Sequence, residues 1–152
     1  MTRNAEERKM QQAIVKWLRD DCTEQPAIPF VGSANGAYLG GGGDKQTGAR
    51  RWASLQSTGC SPGYPDLFIH RRGHDGEIGL AVELKVEDKR LTRAQKKWRD
   101  ALVAEGCQFA VVHSVAEFKQ TLDTYLHGLP TRVARPRPSS HRGTAAMPIV
   151  FD

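Results

Sequence analysis

Two short apolar segments joined by a glycine-containing turn constrain the fold more than any other feature of this sequence. The first segment, residues 67–70, follows the turn-forming run Ser-Pro-Gly-Tyr-Pro at 61–65, and the second runs from about residue 78 to 86. The connecting stretch 71–76 contains glycines, as β-hairpin connections commonly do. The sequence therefore predicts two neighbouring antiparallel strands in the middle of the chain.

Three charged side chains fall on this predicted hairpin. Asp66 opens the first strand, and Glu83 and Lys85 are separated by one residue on the second. Since side chains on a strand alternate between its faces, Glu83 and Lys85 share one face with Ala81. The other face carries the residues expected in the core, which are Leu80, Val82, Leu84 and Val86. We expect the pairing to bring the Asp66 carboxylate within a few ångströms of that of Glu83.

Paired carboxylates at this spacing predict a divalent-cation site. Two carboxylates held close together raise each other's pKa, and a cation removes their repulsion. Oxygen ligands suit Mg²⁺ and Mn²⁺, and the backbone carbonyl of Leu84 is a candidate additional ligand. Lys85 would stand where it can orient water or hold a phosphate, which favours phosphodiester hydrolysis. The alternative is a structural ion pair of Glu83 with Lys85 or Lys89 on an exposed sheet face.

The N-terminal segment is predicted to be a helix over residues 5–20. Its apolar residues recur at helical spacing, at Met10, Ile14, Trp17 and Leu18. Glu7, or its neighbour Glu6, would lie at the edge of this stripe. Both acids also suit the first turn of a helix, where negative charge interacts favourably with the helix dipole.

Residues 23–48 form a predicted loop with a short strand around 28–31. The glycine run at 40–43 lacks the Gly-Lys-Ser/Thr sequence of a P-loop, so no nucleotide cofactor is expected. The stretch from about 32 to 48 is interpreted as a flexible loop beside the site. A short helix is predicted over 47–58, where Arg50 and Arg51 are candidate phosphate contacts or, equally, a solvated cationic face.

A well-marked helix follows the hairpin. Thr92 and Gln95 form a capping-box pattern at the start of a predicted helix over residues 92–105. Its apolar stripe, expected to be buried, is Ala94, Trp98, Ala101 and Leu102. Gln95 therefore has a capping role whether or not it also lies near the carboxylates.

The remaining sequence divides into an ordered part and a tail. A strand at 109–113 and a helix over 114–126 complete a domain predicted to span residues 1–129. Residues 130–152 are rich in Pro, Arg and Ser without periodicity, which predicts a disordered basic tail.

Composition and charge favour a single intracellular domain with a phosphate-bearing partner. The chain has 152 residues, a formal net charge of +5 and three cysteines without a CxxC pair. Neither a membrane span nor a signal peptide is predicted, so we expect a cytoplasmic protein. Further candidate nucleic-acid contacts are Arg71, Arg72, Arg93 and Lys96, although such side chains are often only solvated surface.

The order and spacing of these motifs resemble the PD-(D/E)XK nuclease superfamily and, within it, the small stand-alone VRR-NUC domains, many of them phage-encoded. The matching segments are Asn35-Gly36, Gly59, Gly63-Tyr64-Pro65-Asp66-Leu67, Glu83-Leu84-Lys85, Leu91-Thr92, Gln95-Lys96-Lys97-Trp98, and Gly106 with the strand after it. They fall within roughly residues 5–125. The glycine-rich insertion after Asn35 and the basic tail depart from the family pattern.

The resemblance implies an α/β fold, with a mixed four-stranded sheet flanked by helices in the order αβββαβ. It also implies Mg²⁺ or Mn²⁺ bound by Asp66 and Glu83, a catalytic Lys85, and Gln95 near the site. An acid of the first helix joins the metal in related nucleases, and Glu7 is the better match here, with Glu6 next to it.

Two classes of function remain open. The first is a metal-dependent DNA endonuclease selective for junctions, flaps or other branched DNA in phage replication or recombination. It would act as a homodimer, because cutting two strands symmetrically needs two sites. The second is a non-catalytic nucleic-acid-binding module with a structural ion pair at the same position. A restriction-type nuclease, or a metal-independent RNA-splicing type with a histidine-based site, is a third interpretation of the same fold.

Overall fold

A computed structural model of the protein describes residues 3–33, 45–87 and 89–129. In chain order the elements are α1 (Arg3–Asp20), β1 (Phe30–Gly32), α2 (Lys45–Ser57), β2 (Leu67–Ile69), β3 (Leu80–Leu84), α3 (Arg93–Ala104), β4 (Gln108–Val112) and α4 (Val115–His127). The predicted basic tail at 130–152, the glycine run at 40–43 and the Asn35-Gly36 motif lie outside the described residues.

The four strands form one mixed sheet in the order β1-β2-β3-β4. β2 pairs antiparallel with β1 and with β3, whereas β3 and β4 run parallel. The α/β class and the mixed four-stranded sheet flanked by helices are thus confirmed. Leu67 pairs with Val82, so Asp66, one residue before β2, falls opposite Glu83.

One face of the sheet packs against α1 and α4 to form the core. The strands contribute Leu67, Ile69, Leu80, Val82, Leu84 and Val112, and the helices contribute Met10, Ile14, Leu18, Phe118, Leu122 and Tyr125. The Trp17 and Phe118 rings meet edge to face between the two helices, with centroids 6.3 Å apart. Each large apolar side chain buried here stabilises the fold by about 1.5–3 kcal/mol. The predicted apolar stripe of α1 and the alternation along β3 are both present.

The outer helix α3 differs from its prediction. It is amphipathic, but none of its residues is buried. Ala94, Trp98 and Leu102 are half-buried, and Ala101 is exposed. α3 contacts β4, and this contact covers only part of its apolar stripe.

Three boundaries around the glycine-rich insertion also differ from prediction. The short strand lies at Phe30–Gly32 rather than 28–31, because Pro29 has no N–H to donate to a strand partner. Gly32 pairs with Leu67, and α2 already begins at Lys45. The predicted flexible loop at 32–48 is therefore too long at both ends. Among the helices of the described ranges, none combines the length and apolar character needed to cross a membrane.

Candidate active site

Asp66 is held by contacts from three elements. Its carbonyl oxygen accepts hydrogen bonds from the Ser33 N–H at 2.8 Å and from the Gln11 side-chain amide on α1 at 2.9 Å. Its carboxylate Oδ2 accepts a hydrogen bond from the Leu84 N–H at 2.8 Å. Asp66 thereby continues the β2–β3 pairing with its side chain, and its carboxylate is fixed next to Glu83.

Glu83 and Lys85 are buried charged side chains, with only 2% and 8% of their surface exposed. Lys85 Nζ donates a hydrogen bond of 2.7 Å to Glu83 Oε1. Ala81, on the same face of β3, is also buried. The ion pair therefore does not lie on an exposed sheet face, as the structural alternative required. Because burying charges carries a large desolvation cost, such a pair is weak evidence for a purely stabilising role.

Gln95 links the start of α3 to Glu83. Its backbone N–H donates to Thr92 Oγ1 at 3.2 Å, and its side-chain Oε1 accepts from the Thr92 N–H at 2.8 Å, so the predicted capping box is confirmed. Its Nε2 donates to Glu83 Oε1. Both contacts are made at once because the amide group carries an acceptor and two donors.

The two oxygens of the Glu83 carboxylate have different surroundings. Oε1 accepts hydrogen bonds from Lys85 and Gln95, whereas Oε2 is buried and has no hydrogen-bond partner among the described residues. An unsatisfied buried carboxylate oxygen is costly, so this atom calls for a partner. Beside the Asp66 carboxylate, it offers the hard oxygen donors that Mg²⁺ and Mn²⁺ prefer.

The donor set therefore fits a divalent cation that keeps much of its water shell. Within the described ranges, no group of three or more His, Cys, Asp or Glu side chains is arranged to hold a metal ion. Two carboxylates, with water and a backbone carbonyl, match the way Mg²⁺ is usually bound in proteins. Leu84, whose carbonyl is the predicted additional ligand, lies on β3 between Glu83 and Lys85.

Burial and like charge increase the proton affinity of both carboxylates. Burial, followed by the charge of Asp66, raises the pKa of Glu83 to about 7, against the opposing effect of Lys85. Burial also raises the pKa of Asp66, while the Leu84 N–H and the Lys85 charge lower it. Near neutral pH, a cation that binds here would displace a proton.

Glu7, rather than Glu6, is the acid of α1 that faces the two carboxylates. Its negative charge contributes to the raised pKa of Asp66 and of Glu83, whereas Glu6 is exposed. Glu7 Oε1 lies 3.7 Å from Nζ of Lys89, in the segment after β3. Glu7 is thus at the rim of the site, with its carboxylate close to a lysine.

Most of the candidate phosphate contacts are exposed side chains. The exposed ones are Arg50 and Arg51 on α2, Arg72 after β2, and Arg93 and Lys96 on α3. Arg71 instead donates hydrogen bonds to the carbonyls of Pro26 and Ala27 and lies 3.8 Å from a carboxylate oxygen of Glu24. Its guanidinium therefore holds the segment before β1, which does not fit the predicted phosphate contact.

The sequence analysis did not predict the roles of two residues that shape the site. Gln11 binds the carbonyl of Asp66, and its spacing of four residues from Glu7 on the same helix was the available signal. Gly63 approaches α3 so closely that a Cβ there would lie 2.6 Å from the carbonyl carbon of Ala94. The position of Gly63 in the turn-forming run predicted a turn, but it did not predict that the turn contacts α3.

The sequence and the fold are similar to those of known proteins. The family model of the VRR-NUC domain matches residues 3–116. A solved structure described as a "VRR_NUC domain protein" has a TM-score of 0.58 and 21% sequence identity, covering 81% of this chain and 93% of that chain. A search of curated proteins gives no match. Because the family model covers more than half of the sequence, the chain belongs to the VRR-NUC domain family and has a nuclease-type fold.

Proposed function

We propose that this protein is a divalent-cation-dependent DNA endonuclease in which Asp66 and Glu83 bind Mg²⁺ or Mn²⁺. The observation that carries the proposal is Glu83 Oε2, which is buried without a hydrogen-bond partner among the described residues. This atom lies beside the carboxylate of Asp66, which accepts a hydrogen bond from the N–H of Leu84 on the same strand as Glu83. Membership of the VRR-NUC family supports nuclease chemistry for this chain.

Each neighbouring residue has a role in this proposal. The cation, when bound, activates water and stabilises charge on the phosphate oxygens. Lys85, held 2.7 Å from Glu83 Oε1, supplies a fixed positive charge for the scissile phosphate. Gln95 donates to the same oxygen and so keeps Oε2 directed to the cation. The Leu84 carbonyl and, at the rim, Glu7 are the additional oxygen ligands.

The exposed basic side chains are proposed to bind the DNA backbone. They lie on α2, on α3 and after β2, at Arg50, Arg51, Arg72, Arg93 and Lys96. Phosphate contacts of this kind position the nucleic acid without reading its sequence. We therefore propose selectivity for DNA structure, with junctions, flaps or other branches as substrates in phage replication or recombination inside a bacterial cell. Symmetric cutting would require a homodimer, because one small domain offers one carboxylate pair.

Cleavage of a DNA panel by the purified protein tests this proposal. Duplexes, flaps, forks and four-way junctions would be incubated with Mg²⁺, Mn²⁺ or a chelator. We expect cation-dependent cutting that is lost in Asp66→Ala and Glu83→Ala and retained in the control Glu6→Ala, on the exposed side of α1. Unchanged cutting in both site variants would contradict the assignment. Binding without cutting in every cation would favour the non-catalytic module.

A further inference from the structure

A surface cleft of about 400 Å³ lies between α3 and the turn that leads to Asp66. Its lining residues are Ser61, Pro62, Ala94, Lys97, Trp98 and Ala101. Three of them, Ala94, Trp98 and Ala101, belong to the apolar stripe of α3. The sequence predicted that this stripe is buried, whereas the structure leaves it partly exposed. The six residues include one cation and no acid, so the cleft is apolar with a positive edge.

Trp98 forms a fixed aromatic wall of this cleft. Its indole Nε1 donates a hydrogen bond of 3.3 Å to Ser61 Oγ. Its ring also meets Tyr64 edge to face, with centroids 5.0 Å apart. Both contacts come from the same turn, so the indole is held in one orientation. A preorganised aromatic surface is what proteins use to stack nucleobases of single strands.

The turn and the helix that line the cleft also position the carboxylates. Gly63, in the turn that lines the cleft, packs against the backbone of Ala94 and Gln95. Gln95 in turn donates to Glu83, and Asp66 lies three residues after Gly63. A nucleotide whose phosphate reached the carboxylates would therefore have a neighbouring base close to the cleft.

We propose that this cleft binds an unpaired nucleobase adjacent to the cleaved phosphate, and that the protein prefers DNA with unpaired nucleotides at the cutting site. This inference rests on the nuclease function proposed above and specifies its substrate class. Stacked bases within a duplex do not present their faces to an aromatic side chain, whereas unpaired or extruded bases do.

Charge supports a nucleic-acid occupant of the cleft. Lys97 lies at its edge, and Arg93 and Lys96 are exposed on the same helix. A base entering beside Trp98 brings its phosphates toward this basic side of α3. The combination of one aromatic wall and nearby cations is the usual composition of a single-strand binding groove.

Binding measurements without cutting test the inference. Fluorescence anisotropy with a chelator present would compare single-stranded, flap and fully paired DNA. We expect Trp98→Leu to lower affinity for the unpaired substrates about 10-fold, as loss of one stacked base does, while the affinity for duplex stays the same. Trp98→Phe should retain most of the affinity. Ala101→Leu, at an exposed position, should fill the cleft and reproduce the loss with the Trp98 contacts intact.

A change in the DNA keeps the test independent of how the variants fold. An abasic nucleotide would be moved along the unpaired strand of a flap. The wild-type protein should lose about 10-fold in affinity at one position only, and Trp98→Leu should be insensitive there. Equal affinity at every abasic position would overturn the inference. The inference would also be overturned if Trp98→Leu or Ala101→Leu changed the oligomeric state and left the DNA preference unchanged. That result would indicate that the cleft is an interface between copies of this chain.

Failure of this inference is distinguishable from failure of the nuclease function. If the wild type cuts DNA with Mn²⁺ but Trp98→Leu keeps the same preference for unpaired strands, the cleft is not a base site and the nuclease proposal stands. If the wild type cuts no DNA with any cation, the nuclease proposal fails, and this inference fails with it because no phosphate is cleaved beside the cleft.

Discussion

The N–H of Leu84 donates a hydrogen bond of 2.8 Å to Asp66 Oδ2, so the first carboxylate of the site is attached to the strand that carries the second. This contact holds Asp66 beside Glu83 although their charges repel each other, and each carboxylate has a raised pKa. The hydrogen bond needs only an acceptor oxygen, whereas cation binding needs the charge. The two contributions can therefore be separated by substitution.

Asp66→Asn and Asp66→Ala are expected to differ in stability but not in activity. Asparagine keeps an acceptor for the Leu84 N–H and removes the repulsion with Glu83. Without metal, Asp66→Asn should therefore unfold at the same urea concentration as the wild type or at a higher one. Alanine leaves that N–H without its partner, which should cost about 1–3 kcal/mol. Both variants should lose DNA cleavage. An Asn variant less stable than the Ala variant at pH 8 would contradict the role given to this hydrogen bond.

The free energy of unfolding of the metal-free protein is expected to fall as pH rises from about 5 to about 8. The folded protein holds the Glu83 proton up to about pH 7, whereas an unfolded glutamate releases it near 4.5. Between these values the unfolded state binds fewer protons, so the stability falls, by at most about 3 kcal/mol for this group. The raised pKa of Asp66 acts in the same direction.

Urea unfolding across this pH range, with a chelator present, measures the slope. Glu83→Gln cannot titrate and should lose most of the slope, which separates this group from the other carboxylates. Added Mn²⁺ should stabilise the wild type more at pH 8 than at pH 5, because the cation competes with the proton. Suppose instead that the stability of the metal-free wild type rises with pH and that Glu83→Gln shows the same rise. Glu83 would then not be protonated in the folded protein.

Thr92→Ala and Gln95→Ala form a matched pair that tests the contact with Glu83. Each breaks the capping box of α3 and should lower stability by about 1 kcal/mol. Only Gln95→Ala also removes the hydrogen bond that Gln95 donates to Glu83 Oε1. We therefore expect similar melting temperatures, with Mn²⁺ affinity and cleavage reduced in Gln95→Ala alone. Equal Mn²⁺ affinity in the two variants would leave Gln95 with its capping role only.

Gly63→Ala and Gly59→Ala test the close approach of the turn to α3. Both glycines have positive φ, at 79° and 98°, so alanine should strain either backbone by about 1–2 kcal/mol. A Cβ at Gly59 meets nothing within 4 Å, whereas at Gly63 it would lie 2.6 Å from the Ala94 carbonyl carbon. Gly63→Ala should therefore have the larger loss of stability and, by displacing Gln95, lower cleavage. Equal melting temperatures would contradict the close contact.

The sequence was sufficient where local patterns determine structure. The alternation along β3 and the turn before Asp66 predicted the hairpin that sets Asp66 opposite Glu83. The Thr92–Gln95 spacing predicted a capping box, which depends only on neighbouring residues of one helix. These features follow from the periodicity and turn chemistry of short segments, so they could be predicted without knowing the tertiary packing.

Features that depend on packing between distant segments could not be predicted in this way. Alternation placed Glu83 and Lys85 on one face of β3, but did not show that this face is buried. The apolar spacing of α3 looked like a core stripe, although the structure leaves Trp98 beside an open cleft. Arg71 looked like surface charge, yet it binds carbonyls about 45 residues earlier in the chain. Glu7 could not be distinguished from Glu6 until the helix had a position.

Calorimetric titration of Mn²⁺ at pH 8 tests whether Asp66 and Glu83 form a cation site. We expect the wild type to bind Mn²⁺ with release of protons, seen as a dependence of the heat on the buffer used. Asp66→Asn and Glu83→Gln should each weaken binding at least about 10-fold, and the control Glu6→Gln should not. The same Mn²⁺ affinity in the wild type, Asp66→Asn and Glu83→Gln would show that these carboxylates do not bind the cation.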